Sequence, residues 1–316
     1  MSKLVSQITL GIDVSKDELV ICDWETEAIS MLENQASAIK AWLRPFNGPL
    51  RIAIEPTSHY HLEVIEQAHA LGVEVYLINP RQLVHYRVAV NVRNKTDPQD
   101  AWLLARYLAH ESASLRPFKP QCAKAQRLWA LLKRRAAVVR ARTQLNQSFS
   151  ETKFSIKALS REIQQLLERI DRHIQALLRA LGWWPDYQRC LSIPGIGPLN
   201  AAALVAAFHR GAFAGSDAFV AFIGIDVRLR ESGKYKGKRK LTKCGESEIR
   251  RLLFCASQGA RSYRLFDDYY QKQLEKGLSR TAAKVVLARK LARIAFTLLT
   301  KQLSFIKKEF AYSQAP

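Results

Sequence analysis

The chain has 316 residues, 48% of them apolar, enough to bury a core in two domains or more, and a formal charge of +21. That charge is split: residues 1–110 hold ten Lys/Arg against thirteen Asp/Glu, a net of −3, and residues 111–316 hold 39 against 15, a net of +24, a division that favours a phosphodiester polymer as ligand. No apolar run approaches the ~20 residues of a membrane-spanning helix, the N-terminus MSKLVSQITLGID has no signal-peptide layout, and the five scattered cysteines form no CxxC pair, which disfavours zinc and a disulfide scaffold.

Taken in chain order, Leu4 to Val14 and Glu18 to Trp24 read as two strands around a turn at Ser15-Lys16-Asp17. Ala36 to Leu43 reads as a short helix, and Leu50 to Ile54 as a buried strand of the parallel type. A helix over Tyr60 to Leu71 and a strand over Val73 to Ile78 follow, with Pro80 closing the strand. Asp97 to His110 is helical again. Alternating strands and helices predict an α/β sheet domain whose ligands gather at the carboxyl ends of the strands.

Residues 112–150 hold nine Lys/Arg and no acid, and the pattern from Lys119 to Leu181 is helical throughout. Leu159, Ile163, Leu166 and Ile170 follow 4-3-4 spacing, resumed by Ile174, Leu177 and Leu181, which fits a coiled-coil seam or an ordinary long bundle helix. Trp183-Trp184-Pro185 ends it. In LSIPGIGPLNAAALVAAF, residues 191–208, two apolar helical stretches flank Gly195-Ile196-Gly197. That is either a helix-hairpin-helix element offering backbone N–H groups to a phosphate or a plain interhelical turn. Residues 228–251 carry ten Lys/Arg against three acids. The stretch Thr281 to Leu303 is an amphipathic helix with Leu287, Leu291, Ile294 and Leu298 on one face.

Four acids stand at element ends. Asp13 closes the apolar run in ITLGIDVSK, Glu55 closes the one in LRIAIEPTSHY, and Asp97 and Asp100 lie three apart at a helix start in RNKTDPQDAWLLARYL. A hard divalent cation needs several oxygen ligands held together, and such a set supplies them. Acids in a first helical turn also have a plain reading through the helix macrodipole. GIDVSK on its own occurs equally in sugar-kinase and actin-like folds, but no glycine-rich phosphate loop follows it here. Ser232, in LRESGKYKGKRKLTKCG, sits where a phosphodiester could approach. It is read either as a nucleophile, which needs activation, or as a loop serine touching a phosphate.

Together these motifs resemble the DEDD-type insertion-sequence transposases related to the Piv invertase, a family that includes bridge-RNA-guided recombinases. GIDVSK resembles the first-strand motif, IAIEPTSHY the Glu motif, INPRQ the next strand, RNKTDPQDAWLLA the paired-Asp motif, LSIPGIGPLNAAALVA the start of the second domain, and RESGKYKGKRKLTKCG the serine motif. Six motifs in order over nearly the whole chain are far more specific than any one of them. The resemblance implies an α/β RNase H-like (RuvC-type) domain over 1–115. It implies a basic coiled-coil connector over 116–185 and a mainly α transposase domain with a helix-hairpin-helix element over 186–316. It makes Asp13, Glu55, Asp97 and Asp100 the catalytic acids that hold Mg2+, with Mn2+ as a substitute, and Ser232 the nucleophile.

Two departures from the family pattern stand near the serine. Gly224-Ile225-Asp226-Val227 lacks the usual proline, and Cys244 replaces a basic residue before the last glycine of the motif. Expected nucleic-acid contacts are Arg134, Arg135, Arg140, Arg142, Gly195, Gly197, Lys234, Lys236, Lys238, Arg239, Lys240 and Lys243. The expected function is transposition by strand cutting and rejoining. The alternatives are a structure-selective, metal-dependent DNA nuclease with water as nucleophile, and a binding protein without chemistry. Expected partners are donor and target DNA, a structured guide RNA and further copies of the chain as dimer or tetramer, with no membrane, in the cytoplasm beside the nucleoid.

Overall fold

In the computed structural model, which describes residues 7–46, 48–152, 154–228, 231–232, 235–237 and 240–306, the apolar runs of the first third form one five-stranded sheet. Its strands are β1 (Ile8–Val14), β2 (Glu18–Asp23), β3 (Ile29–Glu33), β4 (Leu50–Ile54) and β5 (Glu74–Leu77). The order is β3-β2-β1-β4-β5. An antiparallel meander, β1-β2-β3, continues into the parallel neighbours β4 and β5. Parallel strands need a crossover between them. Helix α1 (Ala36–Leu43) leads into β4, and α2 (Leu62–Ala70) joins β4 to β5.

Side-chain alternation assigns the two faces of the sheet. Leu10, Ile12 and Val14 of β1, with Leu19, Ile21, Ile52 and Ile54, pack against Ile39 and Leu43 of α1 and Val64, Ile65 and Ala68 of α2. The other parity of residues, including Val20, Cys22 and Ala53, meets α4 (Asp97–Glu111) through Ala101, Leu103, Leu104 and Leu108. Gly11 lets that helix lie directly on β1. A Cβ there would fall 2.1 Å from the Ala101 carbonyl oxygen and 2.3 Å from the Ala105 nitrogen.

Two elements exceed the sequence expectation. Strand β3 is an exposed edge with little apolar alternation. Helix α3 (Pro80–Ala89) begins where the strand before it was expected to close. Asn79 caps it by accepting from the Arg81 N–H at 2.9 Å, and Pro80 supplies a pre-set φ at the first helical position.

Contacts within the chain separate two units, residues 1–120 and 121–316. The second is helical. Helix α5 (Ala123–Ser148) and α6 (Lys157–Ala180) form an antiparallel hairpin. Cross-links pair Arg135 with Asp171, Arg142 with Gln164 and Asn146 with Ser160 in constant register. The helical pattern expected from Lys119 to Leu181 is carried by these two helices. The first ends at Ser148, after which hydroxyl side chains compete for backbone groups. Ser150 Oγ donates to the Gln147 carbonyl at 2.7 Å, and Thr152 Oγ1 to the Phe149 carbonyl at 3.0 Å.

The expected seam of α6 is covered in part. Its Ile174 is buried together with Leu167 and Leu178, and its Ile170, Leu177 and Leu181 pack half-buried against the core, whereas Leu159 and Leu166 remain 42% and 43% exposed. At the root of the hairpin, Leu128, Leu132, Ile174 and Leu178 join the core of the helices that follow. These are α7 (Trp184–Leu191), α8 (Pro198–Phe208), α9 (Ser216–Phe222), α10 (Ser247–Ala260), α11 (Arg264–Glu275) and α12 (Arg280–Lys301). Helix α12 lies against α7 to α11 with Leu287, Leu291, Ile294 and Leu298 buried, the face its spacing predicts. Among the described residues, no helix is long and apolar enough to cross a membrane.

Candidate active site

Strand register brings the first two acids together. Gly11 pairs with Ala53 and Ile12 with Ile54. The next residues, Asp13 and Glu55, therefore stand side by side at the carboxyl ends of adjacent parallel strands. By parity both share the face of Gly11 and Ala53, the face that α4 covers. The start of α4 brings Asp97 and Asp100 to the same place, one turn apart on one helix side. Asp97 is exposed, Asp13 and Glu55 are half-buried, and Asp100 is buried.

Electrostatics records the convergence. Burial and then the charges of Asp100, Asp97 and Glu55 push the Asp13 carboxyl up to about 6, against a backbone hydrogen bond from Val14 that lowers it. Glu55 is raised by burial and by Asp100, while Lys95 and Arg87 pull it down. Asp100 is more than a solvated first-turn acid, because Arg87 Nη2 of α3 donates to its Oδ1. The same guanidinium donates through Nη1 to the Asn94 carbonyl at 3.0 Å. Arg87, Lys95 and Gly11 were not singled out from sequence. A glycine two residues before a strand-end aspartate was the available signal for the close helix.

Among the described residues, no three His, Cys, Asp or Glu side chains stand at metal-holding distance of one another. The donor chemistry nevertheless fits a hard divalent cation: the set is four carboxylates, all oxygen, and the charges of its members raise Asp13 and, through Asp100, Glu55. Asp13, Glu55, Asp97 and Asp100 are the residues that could hold it.

In the second unit, Ser232 is exposed on β7 (Glu231–Ser232), paired antiparallel with β8 (Tyr235–Lys236), so that Ser232 faces Tyr235. β6 (Val227–Arg228) pairs antiparallel with β9 (Lys240–Leu241). The residues flanking this ladder are tied to the bundle. Arg289 Nη2 of α12 donates to Asp226 Oδ1 at 2.9 Å, and the Thr242 N–H donates to the Asp226 carbonyl at 2.9 Å. Gly224, at φ 73°, runs against the Cys244 backbone; a Cβ there would meet the Cys244 carbonyl carbon at 2.9 Å. The Ile-Asp that departs from the family pattern thus supplies the anchor for Arg289.

The expected nucleic-acid contacts divide. Arg134, Arg140, Lys240, Lys243 and Gly197 are exposed. Arg135 is instead held by Asp171, Nε to Oδ1 at 2.5 Å and Nη2 to Oδ2 at 2.9 Å. Arg142 donates to Gln164 at 2.8 Å. Both brace the α5–α6 hairpin. Gly195 serves packing: with φ 85°, a Cβ on it would lie 2.5 Å from the Ala260 nitrogen of α10. Lys234, Lys238 and Arg239 lie outside the described residues, as does the Lys236 side chain.

Residues 10–152 match a family model described as a transposase, the DEDD type of IS110 elements. Residues 187–271 match the model described as transposase IS116/IS110/IS902 family. The chain is 24% identical to the pilin gene-inverting protein of Moraxella bovis over 96% of its own length and 99% of that protein's. It is 27% identical to the transposase of insertion sequence element IS1111A from Coxiella burnetii, over 93% and 90% of the two chains. It is 28% identical to the transposase of insertion sequence element IS1328 from Yersinia enterocolitica, over 94% and 98%.

Proposed function

Because the chain belongs to the IS110 family of transposases and is a DNA transposase, we propose that it mobilises an insertion sequence through a covalent phosphoserine–DNA intermediate. In this reading it uses magnesium at the four acids and a noncoding bridge RNA as guide. The observation that carries the acidic half is the strand register that sets Asp13 beside Glu55, with Asp97 and Asp100 opening the helix that covers the same face. The sheet order, with two antiparallel pairings followed by two parallel ones, supports an RNase H-like, RuvC-type reading of the first unit. The glycine turn before α8 supports a helix-hairpin-helix reading, with Gly197 the exposed glycine of the pair. The domain division proposed is 1–115, 116–185 and 186–316.

Ser232 Oγ attacks the phosphorus, loses its proton, and the bond to the 3′-oxygen breaks; that oxygen takes up a proton. The resulting phosphoserine conserves the phosphodiester energy, so attack by an exchanged 3′-hydroxyl reseals the strand without ATP. When bound, the metal neutralises phosphate charge and lowers the cost of forming an oxyanion. Asp13, Glu55, Asp97 and Asp100 hold it. Exposed cations such as Arg134, Arg140, Lys240 and Lys243 bind the polyanionic backbones of DNA and guide RNA. The acids and the serine lie in different units, and a dimer or tetramer is the proposed form. The site of action is the cytoplasm, beside the nucleoid.

The experiment is neutralisation of each acid. Asp13→Asn, Glu55→Gln, Asp97→Asn and Asp100→Asn should each suppress recombination of a donor and target plasmid pair while folding and nucleic-acid binding persist. Normal recombination by two or more of these variants in magnesium would show that the site is elsewhere. A structured RNA encoded beside the gene, with loops complementary to donor and target, tests the guide.

A further inference from the structure

From the contacts of its guanidinium, we infer that Arg87 is a positioning residue for the metal site, holding the Asp100 carboxylate by one oxygen so that the other faces the cation. The inference rests on reading the four acids as ligands. Three observations carry it. Arg87 and Asp100 are both largely buried, at 16% and 8% side-chain exposure, so the pair is not a solvated surface contact. The guanidinium is held at two points, Nη2 on Asp100 Oδ1 and Nη1 on the Asn94 carbonyl. A planar fork fixed by a backbone acceptor has its orientation set before any ligand arrives. Finally, Asn94 belongs to the segment that enters α4, and Asp97 and Asp100 open that helix. One side chain of α3 thereby ties the helix entry to its inner carboxylate.

Charge gives a second consequence. Four ionised carboxylates near one another repel. With Arg87 engaged on Asp100, one of the four negative charges is offset at close range. Partners of this kind, which orient a ligating carboxylate from behind, change metal affinity by about 10–100-fold when removed.

The sign of the effect separates positioning from simple electrostatics. Deleting a cation beside an acidic site should tighten binding of a divalent ion if field alone matters. It should weaken binding if the cation sets the ligand's geometry. The test titrates Mn2+ into the full-length protein and reads free Mn2+ by electron paramagnetic resonance, with no nucleic acid present. Arg87→Ala should bind Mn2+ about 10–100-fold more weakly than wild type. Arg87→Lys should fall between the two, since an ammonium keeps the charge and loses the fork. Arg93→Ala, which removes an exposed cation from the same approach to α4, should bind as wild type or more tightly.

Unchanged or tighter binding by Arg87→Ala overturns the assignment and makes Arg87 a structural pair or a competitor for the site. If circular dichroism shows Arg87→Ala unfolded, Arg87→Lys decides, and affinity equal to or above wild type overturns it. Wild-type protein that binds no Mn2+ overturns the metal reading of the four acids along with this one.

Discussion

Arg289 in the middle of α12 holds Asp226 at 2.9 Å, just before the first strand of the segment that carries Ser232. The pair is half-exposed, so its worth to global stability is small, about 1 kcal/mol or less. Its placement matters more, because Asp226 precedes β6 and its carbonyl also accepts from the N–H of Thr242, the residue after β9. Arg289→Ala should therefore leave the helical circular dichroism and melting nearly unchanged while lowering strand exchange. A protease ladder should show faster cutting within 227–241 than in wild type. Unchanged cutting together with unchanged exchange would remove the anchoring role.

Gly11 sets how closely α4 approaches β1. A methyl group there meets the backbone of Ala101 and Ala105, which cannot move aside as a flexible side chain can. Gly11→Ala should destabilise the first unit by about 1–3 kcal/mol, as overpacking does, and should displace Asp97 and Asp100 relative to Asp13. Chemical denaturation followed by fluorescence of Trp24 and Trp102, which pack at a centroid distance of 6.2 Å, reports that unit in a protein whose Trp129, Trp183 and Trp184 are replaced by Phe. A denaturation midpoint equal to wild type would contradict the close approach.

The Asp13 carboxyl rises from 3.8 to about 6 through burial and neighbouring acids. Its folded-state proton is thus held more tightly than its unfolded-state proton. Stability from this group is fully present below pH 3.8 and is lost as pH rises through about 6. Asp13→Asn mimics the neutral form. Without divalent metal it should melt like wild type below pH 3.8 and above it at pH values beyond about 6. A constant difference across that window, or none, would contradict the crowding of charge.

The placement of residues could be read from the sequence where periodicity and element ends coincide. Asp13 and Glu55 were legible because each closes an apolar strand, and their shared face follows from strand parity. The buried face of α12 was legible for the same reason. Arg87 was not, because its role depends on α3, and an Asn-Pro pair read as the end of a strand also serves as a helix start. The heptad spacing in α6 was real, yet its Ile174 is buried beside Leu167 and Leu178 from outside the seam, while Leu159 and Leu166 are exposed. A helix with two apolar rows does not say which one its neighbour covers. Arg135 and Arg142 looked like free cations because their partners lie 36 and 22 residues away on the returning helix.

That correction sorts the cations of α5. Arg134 and Arg140 are exposed, whereas Arg135 is locked on Asp171. Removing a phosphate-contacting cation reduces the slope of log affinity against log salt by about 0.7–0.9. Arg134→Ala and Arg140→Ala should each lower the slope for nucleic acid by up to that amount and leave melting unchanged. Arg135→Ala should lower the melting temperature and leave the slope nearly intact. The opposite pattern would mean that the Asp171 pair opens on binding.

Ser232 carries the boldest claim, and its placement defines the controls. It is exposed and strand-paired with Tyr235, in a segment whose cations lower the cost of an approaching phosphate. Ser216 and Ser247, the first residues of α9 and α10 in the same unit, share its hydroxyl but lie outside the motif. Ser232→Ala should keep DNA and RNA binding yet give neither covalent adduct nor strand exchange. Ser216→Ala and Ser247→Ala should retain both. Denaturing electrophoresis of protein incubated with labelled DNA, guide RNA and magnesium reads the adduct directly. An adduct that persists in Ser232→Ala moves the nucleophile to another residue. Wild-type cleavage without any adduct, even on a nicked substrate that traps the intermediate, makes water the nucleophile and the protein a metal-dependent nuclease in mechanism. Adduct formation that vanishes with Ser232→Ala but survives the two control substitutions assigns the phosphoserine to this one hydroxyl.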